Sequence, residues 1–288
     1  MECKNTKYTL LAVLAHPDDE TFGMGGTLAY YARHGVCVHL VCATRGEVGE
    51  ADEKYMKGFQ SIAEMRENEL RCASQKLGLA EVHFLGYRDS GMPGSDDNHN
   101  PLALAANPLE NVARDVVHHI REIKPQVVIT FDPVGGYMHP DHIAIQKATT
   151  MAFHMAGDQN FVDDLSPYQP QKLFYHTMPR GILRIMVRLM PLFGKNPRKF
   201  GRNQDIDLKA VADMDFPTHV RIDYRTVMEI RDEAAMCHAS QGGGIMSKGI
   251  GGWIRKGMAS YESFMQAYPT PIDKKIRKDL FEGIPPEL

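Results

Sequence analysis

The chain has 288 residues, 43% of them hydrophobic and 24% charged, which is ordinary globular composition with enough apolar material for a large core. Its 33 basic residues nearly balance its 36 acidic ones, and a net charge of −3 excludes a global field of the kind that gathers nucleic acid or an anionic membrane. No run approaches the roughly 20 apolar residues needed to span a bilayer, and the N-terminus carries no signal-peptide pattern.

The elements follow in order. Tyr8–Ala15 (YTLLAVLA) is short and apolar and predicts a buried parallel strand. HPDDE follows it, then a periodic stretch to about His34 that predicts a helix. Val36–Thr44 predicts a second strand, and the acidic, glycine-containing segment 46–58 a loop. Ser61–Leu77 has helical spacing and stops at Gly78, a natural C-cap. Val82–Leu85 predicts a third strand. Residues 86–107 are rich in Gly, Asp, Asn and Pro, and a loop of that length in a compact domain is often functional. Pro108–Ile123 predicts a helix, Pro125–Phe131 a fourth strand, and Ile143–Met155 the next helix.

Strand and helix thus alternate through residue 155. The expected fold is α/β, a Rossmann-like, mostly parallel sheet with helices on both faces. The expected division is a catalytic core over 1–155 and an elaborated C-terminal part over 156–288 that completes the same domain. Within that part, Leu173–Thr177 and His219–Ile222 predict further strands and Tyr224–His238 a helix. Residues 179–202 carry seven Arg or Lys and no acid. Arg180, Arg184 and Arg188 recur at i, i+4 opposite Ile182, Ile185, Met186 and Leu189, which predicts an amphipathic helix serving as a solvated or packed surface element, as a lid or interface near 180–200, or as a membrane-surface helix.

Five cysteines, Cys3, Cys37, Cys42, Cys72 and Cys237, are scattered without a CxxC. That argues against a disulfide scaffold or a cysteine zinc site and fits a reducing cytoplasm. Cys37 and Cys42 read as small core residues.

Two motifs carry the chemistry: AHPDDE at 15–20 and GGYMHPDH at 135–142, each just beyond a predicted strand. Ligands bind past the carboxyl ends of the strands in such sheets, so segments over a hundred residues apart can meet there. His16 and Asp19 lie at i and i+3 and can share one ion. His142 or His139 can add a third ligand, leaving open positions for water and substrate as a catalytic zinc site requires. Asp18 is then spare to take a proton, His139 to donate to an oxyanion, and Asp141 to hold a histidine's other nitrogen. A single His-Pro-Asp is usually a turn; two, each with a neighbouring ligand type and each after a strand, indicate a metal.

AHPDDE with a later GGYxHPDH resembles the zinc-dependent N-deacetylases of the LmbE-like group, which includes the N-acetylglucosaminyl-phosphatidylinositol deacetylases and the mycothiol- and bacillithiol-pathway enzymes. RENEL at 66–70, LGYRDSGM at 85–92 and HASQ at 238–241 resemble its secondary motifs. The resemblance implies His16, Asp19 and His142 as zinc ligands, Asp18 as general base, and His139 as electrophilic or acid group oriented by Asp141. It places Tyr137 near the substrate carbonyl and Arg66 and Asp89 at the sugar hydroxyls. Ser90 and His238 are further candidates for substrate binding. For Arg66 the bland alternative is a helix pair with Glu69, and for Asp89 a loop cap. His83, His118, His119 and His176 read as structural or exposed. Gly23, Gly25 and Gly26 form no GxGxxG, so a nicotinamide is not expected.

The expected activity is removal of an N-acyl group, acetyl above all, from an N-acetylglucosamine-type sugar or conjugate. The cofactor is Zn2+, with Fe2+ or another divalent ion suited to the same donors. The rivals are an amidase for mycothiol-type thiol conjugates and a non-catalytic metal- or sugar-binding protein. The partner is a small amino sugar, not nucleic acid or membrane, and a homo-oligomer is left open.

Overall fold

β1 (Thr9–Leu14) is buried along almost its whole length, as is β4 (Val127–Phe131) beside it, which requires cover on both faces of the sheet. The structure, a computed structural model, describes residue 3 and residues 6–178, 180–200, 206–243 and 260–286; the side chain of Ile182 lies outside the description. β2 (Cys37–Cys42) and β3 (Glu81–Phe84) flank β1 on one side, and β5 (Lys172–Thr177) flanks β4 on the other. All five pair in parallel. β6 (Val220–Asp223) and β7 (Tyr261–Tyr268) complete a seven-stranded sheet of order β3-β2-β1-β4-β5-β7-β6, with β7 antiparallel to both its neighbours. The α/β class and the mostly parallel sheet are as the sequence predicted.

Cover comes from two groups of helices. α1 (Asp19–Arg33) packs on α2 (Ile62–Leu77) and α8 (Met228–Cys237); α3 (Leu109–Ile123) packs on α5 (Pro140–Met155). α2 begins at Ser61, whose side chain accepts from the Glu64 N–H, and ends at Gly78 with φ +80°, so both predicted caps are in place. One apolar cluster runs from Leu10 to Ile284 and includes residues of both predicted parts of the chain.

Four features differ from expectation. α5 starts at Pro140 rather than at 143, because Pro is preorganised for the first helical position; His139 becomes its N-cap and Asp141 and His142 fall in its first turn. β7 was not predicted, since YESFMQAY mixes polar and apolar residues and is identified only by pairing on both edges. Two cystines, Cys3–Cys37 and Cys72–Cys237, replace the expected free thiols and leave Cys42 free and buried. The second pair spans 165 residues and forms because α2 lies against α8, a contact that cysteine spacing cannot reveal.

The fourth concerns the basic helix, α6 (Arg180–Leu189). Leu183, Val187 and Met190 pack on α7 (Leu208–Asp213), and Arg180 and Arg184 turn inward onto the carbonyls of Val211 and Ala212. Ile185, Met186 and Leu189 are exposed, as is Arg188, so the arginines that anchor the helix are Arg180 and Arg184. A guanidinium satisfies several carbonyls at once, which an apolar side chain cannot. Among the described residues no helix is long and apolar enough to cross a membrane.

Candidate active site

The strand order reverses between β1 and β4, and an open α/β sheet forms its ligand crevice at such a switch. Both motifs lie there as strand-to-helix transitions. HPDD leads from β1 into α1, and HPDH leads from the loop after β4 into α5.

Three sets of donor atoms converge. His16 Nδ1 is 3.2 Å from His142 Nε2. The Asp19 carboxylate bridges them, with Oδ2 3.4 Å from His16 Nδ1 and Oδ1 3.3 Å from His142 Nε2. Zinc bonds of 2.0–2.2 Å in a tetrahedron put adjacent donors about 3.3–3.5 Å apart, so these three side chains fit such an ion.

The other ring nitrogens fix the tautomers that face this point. His16 Nε2 donates to Asp141 Oδ2 at 3.1 Å, and His142 Nδ1 donates to the Gly135 carbonyl at 3.2 Å. In the neutral rings, lone pairs are then left at Nδ1 of His16 and Nε2 of His142, aimed at one another. Two facing lone pairs repel unless a cation lies between them. Phe131 stacks on the His142 ring at 4.0 Å and 10°. Gly135 has φ +63°, and a Cβ there would meet His142 Cβ at 2.8 Å, so only glycine fits. Burial alone would raise the Asp19 carboxyl; positive charge in the space it shares with His142 and His16, a proton on a ring or a metal ion, overcomes this and holds Asp19 well below the ordinary carboxylate range.

Asp18 sits beside this group in a positive-φ conformation, φ 116°, a region that costs a non-glycine residue of order 1–3 kcal/mol. Glu20 holds it there by accepting the Asp18 N–H at 2.9 Å. Burial pushes the Asp18 carboxyl up to about 6 against the opposing pull of Arg66, whose Nη2 donates to Asp18 Oδ2 at 3.2 Å. Arg66 also donates to the Pro17 and Gly46 carbonyls, and Gly46, with φ +68°, makes room for its guanidinium. Glu69 is not its partner: that carboxylate accepts from the N–H and hydroxyl of Ser240.

A cavity of about 780 Å³ opens over the group, lined by His16, Asp18, Arg66, Asp89, Tyr137 and His139 among others. That is ample for a disaccharide-sized ligand. His139 accepts the Asp141 N–H at Nδ1, 3.2 Å, which leaves Nε2 to carry the proton. Burial, with His16 and His142 close by, holds its pKa far below the usual histidine value, so it is a neutral donor. Asp89 accepts from the Gly91 N–H at 2.8 Å, with Oδ1 3.6 Å from His16 Nε2.

Three expectations need correction. The Asp141 carboxylate does not orient His139: it holds His16 and accepts from the Ser90 N–H and hydroxyl. Only its backbone reaches His139, whose ring caps the first turn of α5 by accepting the Asp141 N–H. Ser90 is fully buried under Asp141 and lines no part of the cavity. His238 is fully buried too, its Nε2 on Glu20 Oε1 at 2.7 Å, and it lines no part of the cavity. The wall instead includes Ser240 and Gln241, from the same HASQ motif, and Val48–Glu50 of the acidic loop. Glu20 was also missed, although AHPDDE contains it.

The family model described as PIG-L: GlcNAc-PI de-N-acetylase matches residues 11–153. A 1D-myo-inositol 2-acetamido-2-deoxy-alpha-D-glucopyranoside deacetylase of Thermobifida fusca (strain YX) is 36% identical over 241 residues, 81% of this chain and 82% of that protein. The N,N'-diacetylchitobiose deacetylase of Pyrococcus horikoshii superposes with a TM-score of 0.61 at 22% identity, over 91% of this chain and 84% of that one. A 4-carboxy-2-hydroxymuconate hydratase of Pseudomonas putida KT2440 superposes with 0.57 at 17%, over 92% and 98%. Likeness at such identity speaks for the fold alone, and that one architecture carries a deacetylase and a hydratase. Sequence identity over most of both chains goes further: this chain belongs to the PIG-L, GlcNAc-PI de-N-acetylase family.

Proposed function

We propose that this protein is a divalent-metal N-deacetylase acting on an N-acetylglucosamine-type sugar conjugate. Three side chains would hold the ion: His16, His142 and Asp19. Zn2+ suits two imidazoles and a carboxylate, and Fe2+ suits the same set. When bound, the ion polarises the amide carbonyl and lowers the pKa of a water toward about 7.

The chain's own groups do the rest. Asp18 accepts the proton of the attacking water; its carboxyl, raised to about 6, is a base matched to neutral pH. Attack gives a tetrahedral oxyanion, to which His139 Nε2–H donates, with Tyr137 beside it. Asp18 returns the proton to the amide nitrogen as the C–N bond breaks, and acetate and a free amine leave. Arg66 and Asp89 hold ring hydroxyls at the cavity wall.

The observation that carries this reading is the spare carboxylate of Asp18, held at a strained backbone angle beside three converging donors. The substrate that the relatives' name gives, an N-acetylglucosaminyl-inositol, supports the choice of conjugate. The test is release of amine and acetate from that compound, run beside a mycothiol S-conjugate. Activity on the first, lost with chelator and restored by zinc or cobalt, is expected. Preferential cleavage of the S-conjugate makes the protein an amidase for thiol conjugates, and a metal-loaded protein that releases no amine from either is a binding protein.

A further inference from the structure

A second group of metal-type ligands lies toward the β3 edge of the sheet, back along the strands from the two motifs. His39 on β2 is in register with Glu81 on β3, and His83, two residues on, returns to the same sheet face. His119 and Glu122, at i and i+3 on α3, close over them: His83 and His119 have ring centroids 4.9 Å apart, and His39 and His83 stack at 5.8 Å. His39 is in register with Leu11 of β1, five residues before His16, or about 16 Å back along the strand.

The hydrogen bonding of this cluster is incomplete. His39 Nδ1, His83 Nε2 and His119 Nδ1 are buried and have no hydrogen-bond partner. Leaving a buried polar atom unsatisfied costs about 1–3 kcal/mol, and three in one cluster call for a cause. His39 Nε2 is already taken, 3.2 Å from Cys37 Sγ, so Nδ1 is its free donor. Glu81 Oε2 is 3.7 Å from His83 Nε2, and Glu122 Oε2 is 3.5 Å from His119 Nδ1, too far or too poorly aimed to satisfy either ring. The donor atoms fall into two triads that share His83, His39–Glu81–His83 and His83–His119–Glu122, each within 4.8 Å. Burial, with His83 adding to it, depresses the pKa of both His39 and His119, which keeps these rings in the neutral, ligand-competent form.

We propose that this cluster is a second metal site, binding one borderline transition-metal ion such as Zn2+ or Cu2+ through His83 and its neighbours. Imidazole with carboxylate is the donor set such ions prefer. Glu81 and Glu122 are both exposed enough to swing onto the ion. β3 is the edge strand of the sheet, so an ion here clamps α3 to that edge and acts on stability rather than on turnover.

The test is zinc content per chain after dialysis against zinc alone, for the wild type and for His83→Asn. The variant is expected to hold about one ion fewer per chain and to keep its catalytic activity. Zinc also raises the thermal midpoint of the wild type by several degrees more than that of the variant. Because the readout is a difference, it holds whatever the catalytic centre binds. His119→Asn, on the helix, gives the same reading should His83→Asn fold poorly. Equal zinc content in the wild type and the folded variants overturns the site.

Discussion

His16 and His142 meet at 3.2 Å through nitrogens whose protons have been assigned elsewhere, to Asp141 and to the Gly135 carbonyl. Residues 126 apart in sequence would not be brought into that opposition without something positive to share. His142→Ala is therefore expected to lower metal affinity at least a hundredfold and activity with it. Elemental analysis of dialysed protein checks this; an unchanged metal-to-protein ratio removes His142 from the ligand set.

Asp18 donates nothing to the three converging atoms, so its loss separates binding from turnover. Asp18→Asn is expected to keep the metal while kcat falls about 10²–10⁴-fold. Metal content and steady-state rates measured on one preparation decide it, and activity within a few-fold of wild type would assign the base elsewhere.

Asp141 is expected to act on the ion through His16. Asp141→Asn keeps the shape but weakens the charge-assisted bond to Nε2, and should cost about 10–100-fold in metal affinity. Competition against a chromophoric chelator measures it. Were His139 the residue it orients, kcat would fall with affinity unchanged.

His176 supplies a pH signature away from the metal. Burial lowers its pKa to about 4 from the usual 6.5. Below pH 6.5 the unfolded chain takes up a proton that the folded ring refuses, so this contribution to stability is whole above pH 6.5 and is lost as pH falls toward 4. The slope is at most about 1.4 kcal/mol per pH unit. Urea unfolding at pH 7 and pH 5 should show a smaller loss for His176→Gln than for the wild type; equal losses refute it.

The parallel half of the sheet was legible because TLLAVL, CVHLVC and VVITF are short apolar runs with helical spacing between them. The converging donors were legible because each motif sits where its strand stops. What stayed hidden is whatever depends on the third dimension alone. Asp141 could not be matched to His16 by eye, since His139 as N-cap occupies the Asp141 backbone N–H and sends the carboxylate toward Ser90, 51 residues away. The His238–Glu20 pair spans 218 residues and the Cys72–Cys237 bridge 165, and neither leaves a local trace. β7 is defined by its two neighbours and not by its own letters.

The backbone of Asp18 at φ 116° sets conformational ease against chemical competence at one position. A glycine there would adopt the same angle without penalty, so Asp18→Gly should melt above Asp18→Ala although both lack the carboxylate. A protein selected only to persist would relax this residue. One that retains an acid in so awkward a posture is giving up ruggedness to keep a reactive group aimed, and melting curves of the two replacements would measure how much.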